Sequence, residues 1–522
     1  MERLTSMAAS VRESLNEAYL EVRRDDFREA CSHLSHGLRA PLRLMFGADE
    51  REAGGAFKVY AVFSLPGKDR FAVVALPVRE EEGSFPSITP EVPAAHWYER
   101  EIRDMLGLEP EGHPDPRPLV LHDSFPAGSH PLRRDWSLSE DEKRRWGEGR
   151  PNGNAYRFFQ VEGEGVFEIP VGPVHAGIIE PGHFRFSAVG ESIYFLEPRL
   201  FYTHKGTEKH FEALGFAGGV RLAERVSGTS SFAHSAAYCM AVERAAGIRV
   251  SDKAMAVRTL LLELERIYNH IGDIGNVCAG TGFAVGYAMG ASIKERLMGL
   301  NERLTGSRYL RGVNTLGGVA VDVFEKRDDI LSTLDGVIRE YKKFMGLLLG
   351  AVSHVERLEN AGVLSRDIAL RLGATGITAR ASGIGDDLRN AHPHLLYDRL
   401  AFEPYTSARG DVLARVLVRA GEAECSASMV HTLLEEPYSG GLSAPAGEVP
   451  PGASALGYAE SPRGSVFYWV KADGEGRPLR VKLRSPSFCN WPVVPFAVAG
   501  NIVPDFPLCN KSFNLSYSGC DM

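Results

Sequence analysis

Along the first 140 residues the pattern of apolar and polar positions changes period more than once. The stretch from Leu4 to about Leu38 reads as an opening helical segment. Two mostly apolar runs follow, F-K-V-Y-A-V-F-S-L at 57–65 and F-A-V-V-A-L-P-V at 71–78, and the Pro-Gly-Lys-Asp between them predicts a hairpin. In W-Y-E-R-E-I-R-D-M-L-G-L, Trp97, Ile102, Met105 and Leu106 lie beside a charged face, which predicts a helix ended by Gly107. From Glu109 to Trp136 proline, histidine and arginine recur without a period, which predicts little regular structure. The charged stretch at 137–160 (S-E-D-E-K-R-R-W-G-E-G-R-P-N-G-N within it) reads as an inter-domain linker.

From about 165 to 435 the helical period dominates, entered through a short strand region at 165–202. Val257, Leu260, Leu261, Leu264, Ile267, Tyr268 and Ile271 keep helical spacing, and similar runs occur at 327–359 and near 411–435, which predicts a bundle of long helices. The stretch S-G-G-L-S-A-P-A-G-E-V-P-P-G-A-S-A at 439–455 reads as a loop. From about 464 strand-like runs (S-V-F-Y-W-V, L-R-V-K-L-R) alternate with turn chemistry, and no internal repeat is present. The fold class is therefore α+β: a small N-terminal α+β domain over 1–140, a linker over 141–162, and a mainly helical-bundle domain with short β elements over 163–522.

Composition narrows the function more than the fold. A chain of 522 residues, 44% hydrophobic and 24% charged, can bury a large core without disulfides or metals. A net charge of -8 without a Lys/Arg block argues against a nucleic-acid or anionic-membrane binder. The opening M-E-R-L-T-S-M-A-A-S lacks the apolar core of a signal peptide, and the most apolar window, Phe344 to Val355, is too short to span a bilayer. The expected location is the cytoplasmic side, with membrane attachment through partners. Cys31, Cys239, Cys278, Cys425, Cys489, Cys509 and Cys520 form no C-x-x-C pair, as suits a reducing compartment.

Motifs then point to a family. G-P-V-H-A-G-I-I-E-P-G-H-F-R-F at 172–186, Y-T-H-K-G-T-E-K at 202–209, E-R-V-S-G-T-S-S-F-A-H-S at 224–235 and E-R-I-Y-N-H-I-G-D-I-G-N-V-C at 265–278 stand in order. T-G-S-R-Y-L-R-G at 305–312, A-R-A-S-G-I-G-D-D-L-R at 379–389, G-D-V-L-A-R at 410–415, S-P-R-G at 461–464 and D-F-P-L-C-N-K-S at 505–512 follow. Together they resemble the large subunit of group 4, membrane-bound nickel–iron hydrogenases (the hydrogenase-4 component G and formate hydrogenlyase type), related to the 49 kDa subunit of respiratory complex I. E-R-E-I-R-D-M-L-G-L at 99–108, G-H-P-D-P-R at 112–117 and H-P-L-R-R-D-W at 130–136 resemble the complex I 30 kDa subunit, here fused to the larger one.

The resemblance implies four cysteine thiolates around a nickel–iron centre, two in R-x-C-x-x-C and two in a C-terminal C-x-x-C. Here Ser227 and Ser230 hold the first pair of places, and aligning the family's aspartate on Asp521 puts Ser516 and Gly519 in the second. Cys520 lies one residue off, and the sequence ends at Met522 without the tail that metal-loaded hydrogenases have cleaved. A serine hydroxyl neither deprotonates near neutral pH nor matches a soft metal, so the expectation is no metal and no cofactor bound by this chain, with Ser227, Ser230 and Ser516 lining a vacated cavity. A complex I-type quinone clamp is incomplete too: His175 matches the first histidine of its loop, but Ile179 replaces the second and Gly228 stands where the tyrosine would be. Quinone or another small molecule stays a candidate occupant.

The ionisable residues left in family-like motifs are His175, Glu180, His204, Glu208, His234, Asp387, Arg389 and Asp505, with His183 and Arg185 beside them. Buried together they would form a hydrated proton or coupling route, and singly they would be satisfied core groups. Ala279 and Gly280 replace the N-D of hydrogenase relatives, which weakens that route. The resemblance implies a peripheral-arm core subunit of a complex I/hydrogenase-4-like oxidoreductase. Its partners would be a small subunit of the complex I 20 kDa type carrying iron–sulfur clusters and membrane-embedded ion-pumping subunits, and the 109–136 stretch would wrap over a neighbouring subunit. The rival readings are a non-redox structural or conformational-coupling subunit and, weakest, an active hydrogenase. No G-x-G-x-x-G follows a strand, so nothing signals dinucleotide binding.

Overall fold

The predicted hairpin forms the centre of an N-terminal sheet. The computed structural model of the chain describes residues 2–147, 156–176 and 179–522. Strands β1 (Ala8–Ser14), β2 (Glu17–Val22), β3 (Leu42–Glu50), β4 (Ala56–Ser64) and β5 (Phe71–Val78) lie in the order β1-β2-β5-β4-β3. β4 and β5 pair antiparallel from Phe57 opposite Val78 to Ser64 opposite Phe71, whereas β2 joins β5 in parallel. The helix His96–Leu106 packs on β3 and ends at Gly107, whose φ of 72° is the left-handed C-cap that glycine adopts without cost.

The single opening helix predicted from Leu4 to Leu38 is overturned. Only Glu2–Met7 and Arg24–Ser32, the latter running on to Gly37, are helical, and β1 and β2 lie between them. The alanines, glutamates and leucines there favour helix locally, yet β2 buries Ala18, Tyr19 and Leu20 by pairing with β5, and tertiary contact outweighs propensity.

Beyond the linker, Val166–Val171, His183–Val189 and Ser192–Arg199 make a three-stranded antiparallel sheet. The predicted long helices follow as Asp252–Gly280, Ala284–Thr305, Arg327–Gly350 and Val412–Glu435, mutually packed, so the α+β architecture with a helical second unit holds. The run predicted as one helix over 327–359 breaks at Ala351, whose extended φ/ψ of −85°/90° separates off Val352–Leu358. Of the predicted linker 141–162, Glu140–Gly147 is helical and residues 148–155 lie outside the described residues.

The C-terminal sheet is larger than expected, because Ser454–Ser461 is a strand beside Gly464–Ala472 and Pro478–Arg484. Its start fell in the segment read as a loop because small residues there mimic loop composition. Just beyond that segment, Gly457 admits a helix: a Cβ there would overlap the Ala237 carbonyl of helix Ser231–Ala246.

One apolar cluster contains residues of both units. Trp469 packs its ring 4.8 Å from Phe46 and 5.0 Å from Tyr60, and its Nε1–H donates to the Tyr19 hydroxyl at 3.0 Å. Tyr19 donates in turn to Glu17 at 2.6 Å, and the Leu456 N–H donates to the same carboxylate at 3.0 Å. Elsewhere on the seam His392 sits between Ser64, 2.5 Å from its Nε2, and Asp69, 2.9 Å from its Nδ1. The Pro/His/Arg stretch is a strap on this same chain. Asp104 accepts the N–H groups of Leu119 and Val120 at 2.8 Å each, Arg117 pairs with Glu197 at 2.5 Å, and His122 Nε2 bonds the Leu200 carbonyl at 2.9 Å.

Candidate functional site

The two halves of the family's ligand pattern do converge. A Cβ built on Gly519 would lie 3.2 Å from Ser227 Cβ, 3.0 Å from Ser516 Oγ and 3.1 Å from Ser485 Oγ. Ser516 caps the short helix Tyr517–Asp521 by accepting the Gly519 N–H at 2.8 Å, and its own N–H donates to Ser487 Oγ at 2.9 Å. Ser227 Oγ lies 3.2 Å from Thr229 Oγ1. Ser230 precedes helix Ser231–Ala246 without a side-chain cap; Glu265 caps that helix instead, accepting Phe232 and Ala233 N–H groups at 2.8 and 3.0 Å. Ser227 and Ser230 are buried. Hydroxyls hydrogen-bonded at this spacing are hard, neutral donors and do not fit a soft bimetallic centre. Burial, together with the neighbouring Asp521 carboxylate, pushes the Cys520 thiol well above the ordinary range, which disfavours thiolate. Among the described residues no three His, Cys, Asp or Glu side chains group as metal ligands.

The Tyr517–Asp521 helix is the hub of the predicted residues. Glu180 accepts the Ser518 N–H at 2.9 Å, and His175 Nε2 bonds the Gly182 carbonyl at 2.7 Å. His204 Nδ1 bonds the Asp521 carbonyl at 2.5 Å, and Asp521 accepts from Thr203 Oγ1 at 2.7 Å. Burial raises Asp521 to about 6 and lowers His204. His234, fully buried, meets Tyr468 hydroxyl at 3.0 Å and is pushed down to about 3 by burial, hence neutral.

The cavity expected beside Ser227, Ser230 and Ser516 is not the one the chain forms near this helix, whose lining includes Met522 but none of the three serines. The cavity formed holds about 670 Å³, walled by Met105, Leu121, Phe125, Leu132, Trp136, Phe201 and Met522, with Glu101, His204 and Glu208 among its polar members beside Lys205, Lys209 and His210. The 109–136 strap, read as an interface segment, supplies one wall.

Glu208 accepts from Arg480 Nη2 at 2.6 Å and the Leu483 N–H at 3.0 Å, and lies 3.1 Å from Lys482 Nζ. Lys482 Nζ also donates to Glu101 at 2.5 Å, and Glu101 Oε2 is buried without a hydrogen-bond partner among the described residues. Burial raises both acids, but Arg480 and Lys482 outweigh it at Glu208, which ends below the ordinary carboxylate value, whereas Glu101 stays above it. Sequence reasoning missed Glu101. It sits on what reads as the charged, solvated face of its helix, and its lysine is 381 positions away. The available signal was the density of acids in E-R-E-I-R-D on a helix with a narrow apolar stripe.

Asp387 and Arg389 are not at the cavity. They belong to a fully buried ionic network in which Arg389 binds Asp387 at 2.8 Å and Glu263 at 3.2 Å, and Arg266 binds Glu263 at 3.1 Å. Arg380 joins Glu422 at 2.6 Å, Glu460 at 3.0 Å and Asp387 at 3.3 Å, and His270 donates to Glu422 at 2.9 Å. No direct hydrogen bond or ion pair among the described residues links this network to Glu208. Asp505 stands apart at the surface, paired with Arg357 at 2.7 Å. The predicted cluster thus divides, with Glu208 at the cavity, Asp387 and Arg389 in the buried network and Asp505 in neither.

The Respiratory-chain NADH dehydrogenase 49 Kd subunit model matches residues 280–448 and 441–522, and the 30 Kd subunit model matches residues 20–142. Formate hydrogenlyase subunit 5 of Escherichia coli (strain K12) is 36% identical over 488 residues, 92% of this chain and 84% of the relative. Hydrogenase-4 component G of the same organism is 36% identical, covering 92% and 83%. The C/D subunit of NADH-quinone oxidoreductase from Phocaeicola vulgatus is 30% identical, covering 85% and 88%. Among solved structures, a chain of the membrane-bound sulfane sulfur reductase, an archaeal respiratory membrane complex, superposes with a TM-score of 0.64 at 29% identity, over 69% of this chain and 99% of that one.

Proposed function

Since the chain belongs to the family of 30 kDa- and 49 kDa-type subunits that includes formate hydrogenlyase subunit 5, hydrogenase-4 component G and the C/D subunit of NADH-quinone oxidoreductase, we propose that it is the metal-free core subunit of a membrane-bound oxidoreductase. It docks through partners on the cytoplasmic face, takes electrons from an iron–sulfur small subunit to an acceptor, quinone among the candidates, and couples that transfer to ion movement through membrane-embedded partners. No helix among the described residues is long and apolar enough to cross a membrane.

The observation that supports coupling is the split between Glu101 and Glu208 on one cavity wall. Two carboxyls sharing Lys482 with affinities pushed apart divide the work of proton handling. Glu208, held charged by Arg480 and Lys482, fixes the lysine. Glu101, with one oxygen unpartnered, is the group that takes and releases a proton. The family-like acid thereby becomes the positioning residue and the missed one the carrier.

The test is the assembled complex in sealed vesicles. Glu101→Gln should leave electron transfer running while lowering ion translocation by at least about tenfold, the scale of a lost proton-transfer group. Unchanged translocation in both Glu101→Gln and Glu208→Gln would sink the coupling role. The metal-free reading is checked separately by elemental analysis: stoichiometric nickel in the purified complex would overturn it. The hydrogen-bonded serine cluster also suits a non-redox structural subunit, and a complex that reduces no acceptor would favour that reading.

A further inference from the structure

On the seam between the two units lies a second cleft, of about 800 Å³, lined with arginines. Arg43 on β3 and Arg484 at the end of strand Pro478–Arg484 form its inner wall, and Arg39, Arg366 and Arg371 stand on its rim. The acids in its lining are Asp386 and Glu91. Asp386 is consumed by Arg43, whose two Nη groups bind it at 2.5 and 2.7 Å, and Glu91 lies 3.9 Å from Arg28, its Oε2 making no hydrogen bond among the described residues.

The remaining cations are short of counter-charge. Arg484 is 2% exposed and makes no ion pair among the described residues. One Nη donates to the Arg43 carbonyl at 2.9 Å, the other to Ser465, the guanidinium lies over the Phe467 ring at 4.8 Å, and its Nε–H has no partner. Arg43 Nε–H is likewise unpartnered. At the exposed rim, the Arg39 side chain has no hydrogen bond or ion pair among the described residues. Arg366 reaches only the Gly383 carbonyl at 3.4 Å, and Arg371 comes no nearer a carboxylate than 3.8 Å, at Asp367. A buried guanidinium without an anion, as at Arg484, is costly, and with three exposed arginines beside it around one cleft the concentration of positive charge runs against the chain's net charge of -8.

We propose that this cleft binds an organic phosphate carrying two or more phosphoryl groups. Guanidinium forks match phosphate oxygens in charge and geometry, and the volume falls within the ordinary range for small-ligand sites. Leu42, Val92 and Ile384 in the same lining give the organic part an apolar wall. With no phosphate-cradling glycine loop in the sequence, the side chains supply the recognition. This site is independent of the proton-handling cavity and of the proposed redox role.

The test is titration calorimetry of the full chain with ATP, ADP, pyrophosphate and inorganic phosphate at physiological salt, with sulfate as the ionic control. Saturable binding of ADP or ATP is expected, tighter than phosphate or sulfate. The combined Arg39→Ala, Arg366→Ala, Arg371→Ala variant, altered only at exposed positions, should weaken it at least about tenfold. No saturable heat with any soluble phosphate, or affinity unchanged in the triple variant, overturns the proposal. So does binding to phosphatidylglycerol vesicles alone, which would make the patch a membrane contact.

Discussion

Replacing Glu460 by Gln tests the charge accounting of the buried network. Four carboxyls, Glu263, Asp387, Glu422 and Glu460, face three guanidiniums, Arg266, Arg380 and Arg389, with the Arg43–Asp386 pair alongside. His270 and His394, pushed down to about 4 by burial, add no charge at neutral pH. One carboxyl is therefore in excess. Burial and the neighbouring Asp387 charge raise Glu460 to about 7, while Glu263 is held at about 2 and Glu422 and Asp387 also lie low, because the arginines outweigh their burial. A carboxyl that keeps its proton longer when folded stabilises the fold at low pH and forfeits that contribution as pH rises. For Glu460 the window runs from its ordinary 4.5 to about 7. Within it the folded chain holds up to about one more proton than the unfolded chain, so stability falls by up to about 1.4 kcal/mol per pH unit, about 3–3.5 kcal/mol in all. Glutamine keeps the shape and removes the titration. Urea unfolding of the full chain at pH 5 and pH 8 should show the wild type losing about 2 kcal/mol more than Glu460→Gln over that interval. Parallel pH profiles for the two proteins would refute the assignment of the proton to Glu460.

Gly457→Ala should cost about 1–3 kcal/mol or more, because its Cβ would overlap the Ala237 carbonyl and neither backbone can yield; the denaturation midpoint reads it. Trp469→Ala should cost about 3–5 kcal/mol and make the N-terminal sheet the first segment lost in limited proteolysis. Ser64→Ala removes one bond of the Ser64–His392–Asp69 clasp and should cost about 1 kcal/mol, with native proteolysis resistance at 25 °C.

The long helices and the central hairpin were legible because their periodicity is local: Val257, Leu260, Leu261 and Leu264 mark the buried stripe of Asp252–Gly280 without help from elsewhere. The opening segment was not legible, since β2 is a strand only by virtue of β5, some fifty positions on. The same reason hid Glu101, whose burial depends on Lys482. Of the candidate site, motif alignment singled out Ser227, Ser230 and Ser516 as cavity lining; the geometry sets Ser227 and Ser516 close about Gly519 but puts none of the three in the cavity near Met522. The position of the cavity did not follow, for it is made by a strap whose composition carries no period. Asp387 and Glu208 look alike in sequence as family acids, but pairing distances put them in different networks.

The Trp469 junction has a consequence for biosynthesis. Phe46 and Tyr60 leave the ribosome more than 400 positions before the tryptophan that covers them, a wait of about 20–80 seconds at an elongation rate of about 5–20 residues per second. Throughout that interval the nascent N-terminal sheet shows one apolar face to solvent. Its finished core is assembled only once Trp469 has emerged, so the junction between the two units closes late in synthesis, after the hairpin itself can form.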